Sequence, residues 1–110
     1  MTCEPWDVVV VPFPFTDSPA SKRRPALVLS SREFNGRSGH SLLAQITKAK
    51  QSSWPEDFQI QNVEAGLPEG CIERMKLFTI DNRLIQKSTG HLSASDRERV
   101  RENLRKTMAI

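Results

Sequence analysis

Arg24 and Thr47 are the two residues whose types could serve one reaction together. An arginine keeps its charge at every working pH, and its planar fork grips a phosphate through two N–H groups at once. Arg24 stands at the mouth of a strand-like run beside Lys22 and Arg23, and Thr47 precedes Lys48 near the end of another such run. From there the threonine could set a small hydroxyl donor on the same oxyanion. Each residue also has a plain structural reading, since Arg24 could make a surface ion pair and threonine is a good strand former. His40 and His91 are the only histidines, and a His/His acid–base ribonuclease is conceivable. His40 falls in a predicted turn and His91 beside Gly90, so two surface imidazoles are the simpler account. The sequence has no phosphate-cradling glycine loop, no nucleophile elbow and no metal-ligating histidine pair. Cys3 and Cys71 are far apart and lack metal-ligand spacing, which reads as two reduced thiols. No metal or other cofactor is expected.

The charge pattern favours a polyanion more than the modest net charge of +3 suggests. Residues 18–50 carry Lys22, Arg23, Arg24, Arg32, Arg37, Lys48 and Lys50 against Glu33 alone. Residues 51–75 answer with Glu56, Asp57, Glu64, Glu69 and Glu73 against Arg74. A basic block of this density suits phosphate contacts, which supply most non-specific nucleic-acid affinity; a solvated surface is the alternative. At 110 residues, 37% hydrophobic and 26% charged, the chain has the composition of one globular domain over residues 1–110 with a single core. The apolar run from Val8 to Val11 is far too short to span a bilayer. Nothing at the N-terminus reads as an export signal, so the expected compartment is the cytoplasm.

The elements that must position these residues are mostly strands. Val8–Phe13 is β-branched and aromatic and is ended by Pro12 and Pro14; Arg24–Ser30 and His40–Lys48 follow, the last by strict alternation. That alternation predicts Leu42, Ala44 and Ile46 on the core side and Leu43, Gln45 and Thr47 on the other. Asp57–Gln61 is a candidate short strand and Cys71–Ile80 the longest. Thr16–Lys22, Ser31–His40 with its Asn35-Gly36 pair, and Gly66–Gly70 read as loops and turns. Asp81 can cap a single helical turn before Gly90. The clearest helix spans about 94–107, with Ser93/Asp96 or Ser95/Glu98 at capping spacing and Val100, Leu104 and Met108 on one narrow stripe. Five or six short strands and one closing helix describe a mainly-β small barrel.

Four ordered blocks carry a likeness to a known family: Trp6–Asp17 (WDVVVVPFPFTD), Lys22–Ser30 (KRRPALVLS), Leu43–Thr47 (LAQIT), and Lys76–Asp81 (KLFTID) with Arg83–Ile85 and Gly90–Ser93 behind it. In order and spacing they resemble the MazF/PemK toxins of type II toxin–antitoxin systems over nearly the whole chain. The resemblance implies an SH3-like barrel with a short helical turn and a C-terminal helix, forming a homodimer. It also implies a metal-independent endoribonuclease that cleaves single-stranded RNA to 2′,3′-cyclic phosphate and 5′-hydroxyl ends. A cognate antitoxin would fill the RNA groove and halt growth inhibition, and DNA binding would be the antitoxin's task. Arg24 matches the family's catalytic arginine in its R-P-A motif, and Thr47 its catalytic threonine. Thr16, Lys22, Arg23, Lys48 and Lys76 are then the expected RNA contacts. The chain departs from the family at Gln45 and Lys48, where proline and a serine or threonine are common, and over Met75–Phe78, where one branch reads Glu-Gln-Ile-Arg. In the implied reaction Arg24 would stabilise charge on the phosphate and Thr47 hold it in register, with either the guanidinium or a water taking the 2′ proton. A non-catalytic nucleic-acid or protein-binding barrel that kept the fold and the basic face is the competing reading.

Overall fold

A computed structural model describes residues 2–13, 22–48, 58–60, 67 and 71–110, with backbone alone for Lys48, Phe58 and residues 71–75. Its strands are β1 (Asp7–Phe13), β2 (Lys22–Val28), β3 (His40–Lys48), β4 (Phe58–Gln59), β5 (Cys71–Asp81) and β6 (Lys87–His91). They form one antiparallel sheet in the order β4-β5-β3-β2-β1-β6. The helical elements among the described residues are α1 (Arg32–Ser38), α2 (Ala94–Thr107) and a 3-10 turn (Asn82–Leu84). The fold is mainly β with a C-terminal helix, as the sequence predicts. Among the described residues β4 and β6 are not hydrogen-bonded to each other, so the barrel-like sheet is open along that seam. No helix among them is long and apolar enough to cross a membrane.

Both faces of the sheet are buried, which corrects the one-sided expectation for β3. One face carries Val8, Leu27, Ala44 and Ile46 against Leu92, Ile60 and Val100 of α2. The other carries Val9, Val11, Ala26, Val28, Leu43 and Ile80 against Cys3 and Ile85. Leu43 is therefore core, fully buried, while Leu42 is only half-buried. A helix covers one side, and the N-terminal segment with the chain after the 3-10 turn covers the second, so β3 has no solvent face in its middle. Each buried leucine contributes roughly 1.5–3 kcal/mol of transfer free energy.

Helix α2 begins and ends where its residues require. The Ser93 hydroxyl accepts the Asp96 N–H at 3.2 Å, and the Met108 N–H returns to the Leu104 carbonyl at 2.8 Å. Asp96 in the first turn and Arg105 and Lys106 in the last complement the helix dipole. Val100 is fully buried and Leu104 packs partly against the same cluster. The narrow stripe thus docks on a sheet rather than building a core of its own.

Helix α1 occupies the stretch predicted as turns. Ser31 caps it by accepting the Phe34 N–H, and Gly39 closes it with φ of 72°, a left-handed conformation that glycine adopts without a Cβ clash. A buried polar network holds it in place. Asn35 donates to the Cys3 carbonyl at 2.9 Å and to the Ser30 carbonyl at 3.3 Å, and its side-chain oxygen accepts from the Ser30 hydroxyl. Asn82 donates to the Asn35 carbonyl at 2.7 Å and accepts from the Ser41 hydroxyl at 2.6 Å. Asn35, Ser41 and Asn82 are all buried, and such groups are tolerated only because they find these partners. The network ties α1, β3, the N-terminus and the 3-10 turn into one unit and keeps the start of β3 in register. Strand β6 was also absent from the sequence reading; it exists by pairing with β1, Asp7 opposite His91 and Val10 opposite Lys87.

Candidate active site

Antiparallel pairing gathers one end of four strands: the close of β1, the start of β2, the close of β3 and the start of β5. In β1 and β2, Val11 stands opposite Arg24, Pro12 opposite Arg23 and Phe13 opposite Lys22. In β2 and β3, Ala26 stands opposite Gln45 and Val28 opposite Leu43. The β2–β3 ladder ends at the Ala26–Gln45 pair, and Arg24 and Thr47 each lie two residues beyond it toward the same end of the sheet. Thr47 in turn lies opposite Ile72 of β5, and Lys48 opposite Cys71.

Alternation then sorts the candidates by face. Arg24 shares a face with Ala26 and Val28, and Thr47 shares it with Gln45 and Leu43. Lys22 belongs to the same side of β2, and Lys76 falls on the side of β5 that carries Phe78 and Ile80. So Lys22, Arg24, Thr47 and Lys76 occupy one face, whereas Arg23 occupies the opposite one. Arg23 and Arg24, adjacent in sequence and both expected at the RNA, point to opposite faces because neighbours in a strand alternate. Thr16 lies outside the described residues.

The floor beneath these groups is apolar and the groups themselves are open. Val11 and Ala26 are buried, Thr47 is half-buried, and Lys22, Arg24 and Lys76 are exposed. Among the described residues, neither the Arg24 guanidinium nor the Thr47 hydroxyl has a hydrogen-bond or ion-pair partner, and Lys22 and Lys76 have no carboxylate. A cation left without a counter-charge is available to an anionic ligand, and an arginine beside a hydroxyl donor suits a tetrahedral oxyanion such as phosphate. Phe13 lies at the rim of this face, 38% exposed.

The two histidines are elsewhere. His40 opens β3 and His91 closes β6, both at the far end of the sheet from Arg24, with β2 and β1 between their strands. His40 lies opposite Asp81, whose carboxylate both caps the 3-10 turn and grips Arg83 at 2.8 Å. Hydrogen bonds from the Arg83 side chain and backbone hold Asp81 well below the usual carboxylate range. Cys3 is buried as a free thiol, and desolvation raises its pKa, which makes it an inert packing group.

This is a small mainly-β domain with an arginine and a threonine, neither partnered among the described residues, at one end of one face of its sheet. The sequence profile of the family described as "PemK-like, MazF-like toxin of type II toxin-antitoxin system" matches residues 4–108, and the chain belongs to that family. No curated protein matches it in sequence. Its fold is similar to that of MazF from Deinococcus radiodurans, with a TM-score of 0.78 at 20% identity over 100% of this chain and 99% of the other. The MazE–MazF structure from the same organism gives a TM-score of 0.75 at 23% identity over 97% and 96%. A mycobacterial endoribonuclease solved with its cognate antitoxin gives 0.73 at 10% identity over 96% and 91%.

Proposed function

We propose that this chain is the toxin of a type II toxin–antitoxin pair and acts as an endoribonuclease on single-stranded RNA. The reading rests on one observation, the Arg24 guanidinium and Thr47 hydroxyl, both without a partner among the described residues, at the same end of one sheet face in a chain of the MazF-like family. The ribose 2′-hydroxyl attacks the adjacent phosphorus, forming a 2′,3′-cyclic phosphate as the bond to the 5′-oxygen breaks and that oxygen takes up a proton. Negative charge grows on the non-bridging oxygens as this proceeds. Arg24 stabilises that charge, and loss of one such donor raises a barrier by roughly 3–4 kcal/mol. Thr47 donates a hydrogen bond that keeps the phosphate in register for in-line attack. A water accepts the 2′ proton, because the charged guanidinium has no lone pair to take it. Lys22 and Lys76 follow the backbone on the same face, with Lys48 and Thr16 as outer contacts; Arg23, on the opposite face of β2, is not among them.

Unpaired RNA is the substrate because the 2′-hydroxyl must rotate toward the phosphorus and the bases must splay. The partner is a cognate antitoxin, an acidic and partly disordered chain encoded beside this one, which occupies the cationic face and restrains the toxin in the cytoplasm. The toxin itself is a homodimer. The test is incubation of the purified chain with a long RNA, with and without EDTA. Fragments ending in 2′,3′-cyclic phosphate and 5′-hydroxyl, formed equally in both, support the proposal. Intact RNA that is nonetheless bound refutes it and identifies a binding module. Sedimentation at about twice 12.5 kDa supports the dimer, and a monomer mass contradicts it.

A further inference from the structure

We infer that the side-chain amide of Gln45 reads the base next to the cleaved phosphate and prefers adenine there. The inference rests on the RNA-cleaving reading above and concerns what that site selects. Gln45 lies on the same face of β3 as Thr47, two residues before it, which is about 7 Å along a strand. Its partner across the ladder is Ala26, a small and fully buried side chain that brings no polar group to the amide. On its other flank the β3–β5 ladder is irregular. Ala44 pairs with Leu77 but Ile46 pairs with Glu73, so Arg74, Met75 and Lys76 together oppose Gln45. A bulge of this kind breaks the ladder and leaves backbone groups beside the residue it faces out of regular pairing.

The chemistry of the group fits the place. Gln45 is half-buried, yet among the described residues its amide has no hydrogen-bond partner. By contrast, the buried amides of Asn35 and Asn82 are both satisfied. A partly desolvated amide without a partner has a donor and an acceptor to offer, side by side. Adenine presents the complementary pair: its N6 amino group donates to the amide oxygen and its N7 accepts from the amide nitrogen. Unpaired RNA leaves that edge accessible. Thr47 and Arg24 fix the phosphate, and Gln45, two residues from Thr47 on that face, offers the attached base an amide that is unpartnered among the described residues.

The experiment maps cleavage sites by sequencing a random RNA pool digested with the wild type, Gln45→Leu and Gln45→Glu, each checked for an unchanged melting transition. The wild type is expected to favour adenine at one flanking position by about tenfold, the scale of one bidentate base contact. Gln45→Leu flattens that position alone. Gln45→Glu, which only accepts, moves the preference toward cytosine and its N4 amino donor. A wild-type preference that survives both substitutions overturns the inference and leaves the nuclease reading intact. If the wild type cuts no RNA, the nuclease reading fails. Binding to labelled oligonucleotides that differ in one base then decides the inference separately: equal discrimination by wild type and Gln45→Leu overturns it, and loss of discrimination in the variant supports it.

Discussion

On α2, Arg99 lies 3.7 Å from Asp96, Arg105 3.1 Å from Glu102, and Arg101 pairs with Glu98 while its guanidinium stands 5.3 Å from the Trp6 ring centroid. On the other face of the sheet, Lys22 and Arg24 at the start of β2 and Lys76 on β5 have no such partner among the described residues. The residue types are the same and the surroundings differ. On the helix three of the four arginines are answered three residues away by a carboxylate, a spacing that neutralises locally and adds a few tenths of a kcal/mol per pair, while Arg97 donates to the Leu92 carbonyl. At the strand ends the nearest neighbours are valine, alanine, threonine and glutamine. Charge that is already balanced has little left for a ligand; charge over an apolar floor is held in reserve for one.

The contrast breaks or sharpens under substitution. Arg24→Ala is expected to lower the RNA cleavage rate by about 10²–10³ with no change in melting temperature, whereas Arg105→Ala leaves the rate alone. Equal losses in the two variants would show that position in the fold does not matter. Asn35→Ala removes the hub of the buried network and leaves the Cys3 carbonyl and Ser30 hydroxyl without their partner. It should cost about 2–3 kcal/mol in a denaturant melt while the activity per folded molecule is kept. Lys22→Ala should weaken RNA binding a few-fold and make its logarithmic salt slope shallower by about 0.7, the contribution of one phosphate contact on a single strand. A slope equal to that of the wild type would remove Lys22 from the interface.

The smallest effect concerns acid. Asp81 is held below its ordinary range by Arg83, so its stabilisation is fully present above the unfolded carboxylate pKa. It is lost as pH falls through the depressed folded value. Asp81→Asn should therefore melt below the wild type at neutral pH and converge with it in strong acid. A gap that persists at the lowest pH would assign the effect to the cap geometry rather than to charge.

The sequence revealed elements with a strong periodic signal and missed those that depend on tertiary partners. Strand β3 and helix α2 occur where alternation and the Ser93 cap predict them. Helix α1 hid behind Asn35 and Gly36, residues that favour turns. The Asn35 side chain reaches Cys3, 32 residues away, to hold it. Its one local signal was Ser31 at an N-cap position with Gly39 at the far end. Strand β6 (KSTGH) has no apolar alternation and is strand only because β1 lies beside it. In the site, Arg24 and Thr47 were legible as types and as family positions. Which face each occupies required the register, and it separated Arg23 from Arg24. Gln45 stood out in the sequence only as a departure from the family, because nothing local discloses that β5 bulges opposite it.

The most direct test of the central claim is a double-mutant cycle on the cleavage rate with Arg24→Ala, Thr47→Ala and the pair. If guanidinium and hydroxyl act on one phosphate, the losses are strongly non-additive, and the double variant cleaves within about twofold of the slower single variant. Losses that multiply would mean that the two side chains act independently, and would contradict a shared site.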